Sequence, residues 1–420
     1  MSKGPQRIQL LPPQWLDELA KTWPTLLGHA VTKATPYDLR DARGCHGHDP
    51  DVIVMNYAKL AGWAPALAGQ IRTVLFDEGQ ELRRGTTTDK GRAAAQIASD
   101  ATYAAVLSAS PIYNYGGEIW NIYNILAPDH LGSRDEFIRE WGATGNHDHV
   151  TVRDPQALGT YLRESGLLLR RTRKDVHREL PEPLRIRHEI DVPAAINALA
   201  GDALHMARLV LDGSAHHRQR WTAAGELDWR MRHATGIAKA PYVAEFVRML
   251  LDSEARVVLF GWHRVVYDVW LQRLAQFRPV LYTGSETPSQ KLASATAFTE
   301  GDSRVLIMSL RAGAGLDGLQ KVCSVAVFGE LDWSPEVHNQ CLWRLARDGQ
   351  EATVAAYFLV SGHGADPVMD EVLQLKRMQA EPLRDPTAPL LAPVMAHPDR
   401  VRLLAQAVLD RADLARKAAG

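Results

Sequence analysis

The chain is 420 residues long, room for two or three domains at roughly 150 residues each. Hydrophobic residues make up 46% and charged residues 23%, a balance that excludes collagen-like, disordered and disulfide-scaffold proteins. Lys and Arg total 48 against 49 for Asp and Glu, so bulk charge alone does not hold the chain to nucleic acid, although a local basic groove stays open to it.

Met1 to Gln6 lacks the charged-then-apolar pattern of a signal peptide. Three short apolar runs follow, Asp51–Asn56, Arg72–Asp77 and Tyr103–Ser108, each closed by a polar residue. From about Pro128 to Ala240 strand-like runs are scarce, and Leu, Ala, Arg and Glu recur at helical spacing. Residues 194–211 and 242–251 read there as amphipathic helices. The strand habit returns at Arg256–Gly261, Pro279–Gly284, Arg304–Ser309, Cys323–Gly329 and Ala352–Phe358. Beyond Arg377 a Pro-rich stretch precedes a final helix rich in Ala, Leu and Arg. Near-continuous apolar strands between helices mark parallel sheets covered on both faces, and such sheets bind ligands at the carboxyl ends of their strands. No run reaches the roughly 18 apolar residues of a membrane span. Cys45, Cys323 and Cys341 are too few and too scattered for a disulfide framework or a four-ligand zinc site. A reducing cytoplasm is the expected setting.

Several constellations can carry chemistry. Val74–Gln80 is an apolar strand ending in Asp77 and Glu78. The first carboxylate suits Mg²⁺ and the second an attacking water, whereas a solvated acidic pair opening a helix is an equally good reading. Ser108 to Asn114 is a polar turn one strand later, placed to relay a nucleotide's state. In the second half, Gly313, Gly315 and Gly318 follow a strand and permit close approach to a phosphate or ribose. Arg344 and Arg347, three apart, are expected on one helix face, either as phosphate ligands or as a salt-bridged surface pair. Leu167–Arg178 is a basic stretch suited to a phosphate backbone or simply to solvent. Cys45–Asp49 and His147–His149 look like fragments of metal sites but read better as loops.

The succession of these elements resembles the Swi/Snf-type DNA-translocating ATPases of helicase superfamily two, from about Leu10 to Gln374. Leu11–Leu19, with Gln14, Trp15 and Glu18, resembles the family's Gln-Trp segment, and Asp51–Leu60 its next strand. Asp77-Glu78-Gly79-Gln80 matches motif II; Ser108–Tyr115 with Glu118-Ile-Trp120 matches motif III and its continuation. Leu167–Pro181 is similar to the family's basic element between the lobes. Val258–His263 resembles motif IV, and Tyr282-Thr-Gly284 with Phe298 the stretch leading to motif V. Gln340, Arg344, Arg347, Gly349 and Gln350 fall at motif VI spacing.

The resemblance implies an α/β fold of two RecA-like parallel-sheet lobes, the first incomplete, with a helical insert between them. Residues 1–127 would form lobe 1, 128–240 the helical protrusion and linker, 241–376 lobe 2, and 377–420 a Pro-rich connector and helix. It implies ATP and Mg²⁺, with Asp77 holding the metal through water and Glu78 positioning the water nucleophile. Arg344 and Arg347 would cross the cleft, Arg347 as the arginine finger. Gln80, Gly313, Gly315, Asp317, Gln340 and Gln350 would line the nucleotide. Gln14, Trp15, Ser108, Ser110, Arg170, Arg171, Arg173, Lys174 and Arg311 would contact DNA, mostly duplex and without sequence preference.

The sequence departs from the family at one decisive place: no Gly-x-x-x-x-Gly-Lys-Ser/Thr occurs in it. The first strand and phosphate-binding loop of lobe 1 are therefore expected from a missing upstream segment or a partner chain. Ser110 replaces the usual Thr before Pro111, and Ala346 and Asp348 stand where His and Ile are common. A non-hydrolysing DNA-binding or regulatory protein of the same shape is the competing expectation.

Overall fold

The computed structural model describes residues 11–42, 44–108, 116–142, 150–171, 180–192, 194–196, 203–212, 216–311, 316–373, 404–410 and 413. The described residues divide into two compact units, one reaching Arg170 and the other starting at Arg171.

In the first unit α1 (Leu11–Thr22) leads to β1 (Gly28–Ala30), which pairs parallel with β2 (Val52–Val54). After α2 (Tyr57–Leu67) comes β3 (Thr73–Phe76), and α3 (Asp89–Asp100) crosses from it to a parallel partner, β4 (Tyr103–Val106). Thr88 caps α3 through the Gly91 N–H, and Asp89 sits in the first turn where the helix dipole favours it. The helix presents Ala93, Ala94, Ile97 and Ala98 at helical spacing to a core completed by Leu60, Phe76, Leu82 and Ile125. α4 (Glu118–Leu126), α5 (Arg134–Trp141) and α6 (Pro155–Glu164) build a second core around Ile119, Phe137, Leu158 and Leu162.

The second unit begins with β5 (Leu184–Ile190) and two helices, α7 (Ala203–Leu211) and α8 (His217–Ser253). It continues β6 (Val257–Gly261), α9 (Arg264–Arg273), β7 (Val280–Tyr282), α10 (Pro288–Thr299), β8 (Val305–Ser309) and β9 (Val325–Phe328). Then come α11 (Pro335–Leu342) and β10 (Ala355–Ser361). The six strands form one wholly parallel sheet in the order β5-β10-β9-β6-β8-β7. Its middle strands β6 and β9 are buried at every position, as a parallel sheet covered on both faces requires. The α/β class expected from the sequence is the one found.

Three features differ from the expectations. The stretch 128–240, read as helical, contains β5, whose sequence Leu-Arg-Ile-Arg-His-Glu-Ile alternates because only the sheet edge receives it. The helix expected over 242–251 is the last third of α8, which runs 37 residues through Pro241. Proline removes one hydrogen bond there, but Leu227, Met231 and Ala234 on one side and Ala238, Val243, Val247 and Leu251 on the other are buried in two successive cores. The third difference is in motif VI: α11 stops at Leu342, so Arg344 and Arg347 lie in the turns that follow it and do not share a helix face.

Candidate functional site

At the carboxyl end of β3 the chain turns sharply. Asp77 and Glu78 are half-buried, and Glu78 adopts a left-handed backbone (φ 52°), uncommon outside glycine. The Glu78 N–H donates to Asp77 Oδ1 at 2.9 Å, and the Tyr57 hydroxyl donates to the Asp77 carbonyl at 2.8 Å. Burial together with the Asp77, Glu81 and Glu78 carboxylates holds the Tyr57 phenol proton well above its usual range, so Tyr57 remains a donor. Gln80 is buried and bridges two elements. Its amide Nε2 donates to Glu78 Oε2 at 2.5 Å, and its Oε1 accepts from Ser108 Oγ at 2.9 Å. The acidic pair is thereby wired to the end of the neighbouring strand. Gly79 permits this: its N–H donates to the Leu107 carbonyl at 3.0 Å, and a Cβ at 79 would stand 2.0 Å from Val106 Cγ1.

In the second unit, the loops at the carboxyl edge of β8 and β9 hold two further groups. Arg311 reaches Asp332 through Nε at 2.9 Å and through Nη2 at 3.0 Å, a bidentate pair whose carboxylate is buried. Burial alone would raise the Asp332 carboxyl. Arg311, with Arg232 and His338, outweighs it and leaves the group below its usual value. The Arg311 guanidinium also lies 5.3 Å from the Trp262 ring centre. Nearby, the Glu330 carboxylate accepts from the Trp262 and His263 N–H groups and from the His263 ring. Asp317, the second group, pairs with Arg347 at 3.3 Å and accepts from the Gly318 N–H and the Gln320 amide. Burial opposes these partners, but they prevail, and its carboxyl is depressed.

The sequence-predicted residues thus fall into distinct sets. Asp77, Glu78, Gln80 and Ser108 come together in the first unit; Asp317 and Arg347 come together in the second. Arg344 and Gln340 are half-buried after and at the end of α11. Gln350 is committed to the backbone, donating to the Cys323 and Leu345 carbonyls at 2.9 and 3.1 Å and accepting from the Ala352 N–H. Its visible work is to pin the motif VI turn onto the start of β9. Trp15 is exposed on α1, where Gln14 also sits. Arg170 is half-buried and Arg171 exposed. Ser110, Arg173, Lys174, Gly313, Gly315 and the His147–His149 cluster lie outside the described residues. Sequence reasoning gave no site role to Tyr57, Glu330 or Asp332. The last two follow directly on a buried strand run, the same signal that singled out Asp77. No group of three His, Cys, Asp or Glu able to hold a metal occurs among the described residues; Cys45 is buried while His46 and His48 face outward. Burial pushes the Cys323 and Cys341 thiols up to about 12, so neither is a nucleophile at neutral pH.

The SNF2-related domain family matches residues 9–195. The mouse (Mus musculus) protein "DNA annealing helicase and endonuclease ZRANB3" is 24% identical over 381 residues, covering 86% of this chain and 34% of its own length. A Caenorhabditis elegans protein described as a SWI/SNF-related, matrix-associated, actin-dependent regulator of chromatin subfamily A-like protein 1 homolog is 26% identical over 351 residues, 77% of this chain and 48% of its own. The chain therefore spans less than half the length of these relatives. Among solved structures, the Sulfolobus solfataricus SWI2/SNF2 ATPase core in complex with dsDNA covers 88% of this chain and 79% of its own, at 18% identity and a TM-score of 0.39. The chain is thus similar to the SNF2-related domain family over residues 9–195, and to SWI/SNF-related relatives over a longer stretch at 24–26% identity.

Proposed function

We propose that the chain is the core of a DNA-stimulated ATPase that tracks along duplex DNA. The observation that carries this reading is the acidic pair Asp77–Glu78 at the end of β3, with Glu78 tied through Gln80 to Ser108 at the end of β4. Asp77 suits Mg²⁺: it offers a hard carboxylate oxygen, and among the described residues only Oδ1 is engaged, by the Glu78 N–H. The metal would supply charge neutralisation on the nucleotide's phosphate oxygens.

The remaining work falls to the chain's own side chains. Glu78 orients a water and accepts its proton, and Gln80 fixes the carboxylate that does so. Arg347 exchanges Asp317 for phosphate oxygens when nucleotide is bound, and Arg344 adds a second guanidinium. An arginine finger is worth about 10³–10⁵ in turnover. Ser108 senses whether Gln80 is engaged and couples that state to DNA contacts at Gln14, Trp15, Ser110 and the Arg170–Lys174 segment. Arg311 positions the loop after β8 through Asp332 and contributes positive charge toward the DNA backbone. Asp317, Gln340, Gly313 and Gly315 line the nucleotide from the second unit. The Gly-Lys-Ser/Thr cradle, which these 420 residues do not contain, is contributed by a further polypeptide segment.

ATP hydrolysis measured with and without duplex DNA, on the complex that includes such a segment, tests the reading. Glu78→Gln is expected to lower turnover about 10²–10⁴-fold while leaving DNA affinity within a small factor. Turnover untouched by this change would sink the mechanism. A complex that binds DNA but never hydrolyses ATP would establish the non-hydrolysing alternative instead.

A further inference from the structure

On α8 the Trp229 indole is 54% exposed, although a ring of that size is ordinarily used for burial. The His233 ring, one turn further on, stacks over it with 4.7 Å between centres and 16° between planes. Side chains on a helix lean toward its N-terminus, which brings such a pair together. His233 in turn meets His263 edge to face at 5.2 Å, so one face of the indole is backed by protein. The residue one turn before Trp229, whose side chain would lie against the other face, is Gly225. Nothing in the packing asks for glycine there. The position is in a helix interior, where glycine is the poorest choice after proline, and among the described residues a Cβ on it meets nothing within 4 Å. The two residues leave a flat opening with one aromatic wall.

Through His233 and His263 this opening adjoins the carboxyl edge of the second sheet, where parallel sheets take their ligands. Trp262 and His263 follow β6, and Arg311 follows closely on β8. The Arg232 and Arg311 guanidiniums lie 5.8 and 5.3 Å from the Trp262 ring centre, and Arg264 is exposed next to His263. Aromatic faces interleaved with guanidiniums suit a single nucleic-acid strand, whose bases stack while its phosphates pair. The helix neighbours of Trp229 include Glu226, Arg230 and Arg232, a charged setting unlike the core of a protein interface. A duplex keeps its bases stacked on one another and offers none of them to an indole.

We propose that Trp229 and Gly225 form a stacking slot for an unpaired nucleobase, with the phosphates of its strand on Arg232 and Arg311. The ligand is then DNA with an unpaired stretch, and not duplex alone. This deepens the DNA-binding reading and rests on it, but it does not depend on ATP hydrolysis.

Fluorescence anisotropy on the full chain, without nucleotide, tests the slot with three labelled DNAs: a short mixed-sequence single strand, the same strand made abasic throughout, and a blunt duplex. The intact strand is expected to bind more tightly than the abasic one. Trp229→Ala is expected to weaken the intact strand about 5- to 150-fold and to leave the other two unchanged. Gly225→Leu is expected to act alike by filling the slot, while melting at or above the parent, because leucine favours a helix and meets nothing there. Intact-strand affinity indifferent to both changes would overturn the proposal and leave the slot to an aromatic side chain of a partner protein. Equal losses on all three DNAs would also overturn it, since they mark a phosphate contact alone. Duplex binding that survives either result leaves the DNA-binding reading standing. Trp229-dependent strand binding with no duplex binding would support the slot and count against tracking along duplex.

Discussion

Glu78 stands in a conformation that costs a non-glycine residue of order 1–3 kcal/mol, and its neighbours show what holds it. The Gln80 amide and the Gly79 backbone both tie the turn to the end of β4. The backbone can approach β4 so closely only because position 79 has no Cβ. Gly79→Ala is therefore expected to destabilise the protein by about 1–3 kcal/mol, since the new methyl meets Val106 and forces the turn off the strand. Urea unfolding measures this directly, and an unchanged midpoint would mean that the turn is looser than the geometry shows. The residue scale also explains why motif spacing was legible while side-chain duty was not. Gln350 falls at the spacing of a nucleotide-lining residue yet spends its amide on backbone carbonyls. Arg311 carries the charge of a DNA contact yet is clamped by a buried carboxylate 21 residues away in sequence.

Among the elements, α8 ties the second unit together. Lys239, wholly buried on it, donates to the Leu359 carbonyl at 2.7 Å and to Asp366 Oδ2 at 2.6 Å, joining the helix to β10 and the loop beyond. Asp366 also accepts from the Ser361 N–H. Beside the pair lies a cavity of about 10 Å³ lined by Arg232, Gly236, Glu330 and Met369, about the room for one water. Lys239→Met leaves Asp366 charged and unpaired, at an expected cost of about 3–5 kcal/mol. Pairing it with Asp366→Leu should restore most of that loss, which a double-mutant cycle on thermal or urea midpoints reads out. Eight strand segments were legible as apolar runs; β6, β8 and β9 read so because a strand covered on both faces is continuously hydrophobic. β5 was not, because it borders the sheet, and neither was the three-residue β1.

At the scale of the whole molecule, acid stability follows from the cluster at the carboxyl edge of the second sheet. Burial of the His233 ring, reinforced by His263, lowers its pKa below the usual 6.5. Glu330 and Asp332 also end below their usual values, because their cationic and N–H partners outweigh burial. All three release protons more readily folded than unfolded, so the unfolded chain takes up more protons as pH falls and stability is lost on acidification. Stability is expected to decline first below about pH 6.5, through His233, and again below about pH 4, through the carboxylates. Urea midpoints taken between neutral and acid pH, with His233→Phe erasing the first step alone, check the assignment. A midpoint that rises on acidification would contradict it.

The linear chain by itself determined the α/β class, the two families of apolar strands and the order of the motifs, because these depend on local periodicity and on spacing along one dimension. Which side chains meet was decided only by tertiary structure. Gln80 with Ser108, Arg311 with Asp332 and Lys239 with Asp366 are separated by 28, 21 and 127 residues. No periodicity encodes such partners; they come together because parallel strands bring their carboxyl ends to one edge, and because burial makes each polar group there find a mate.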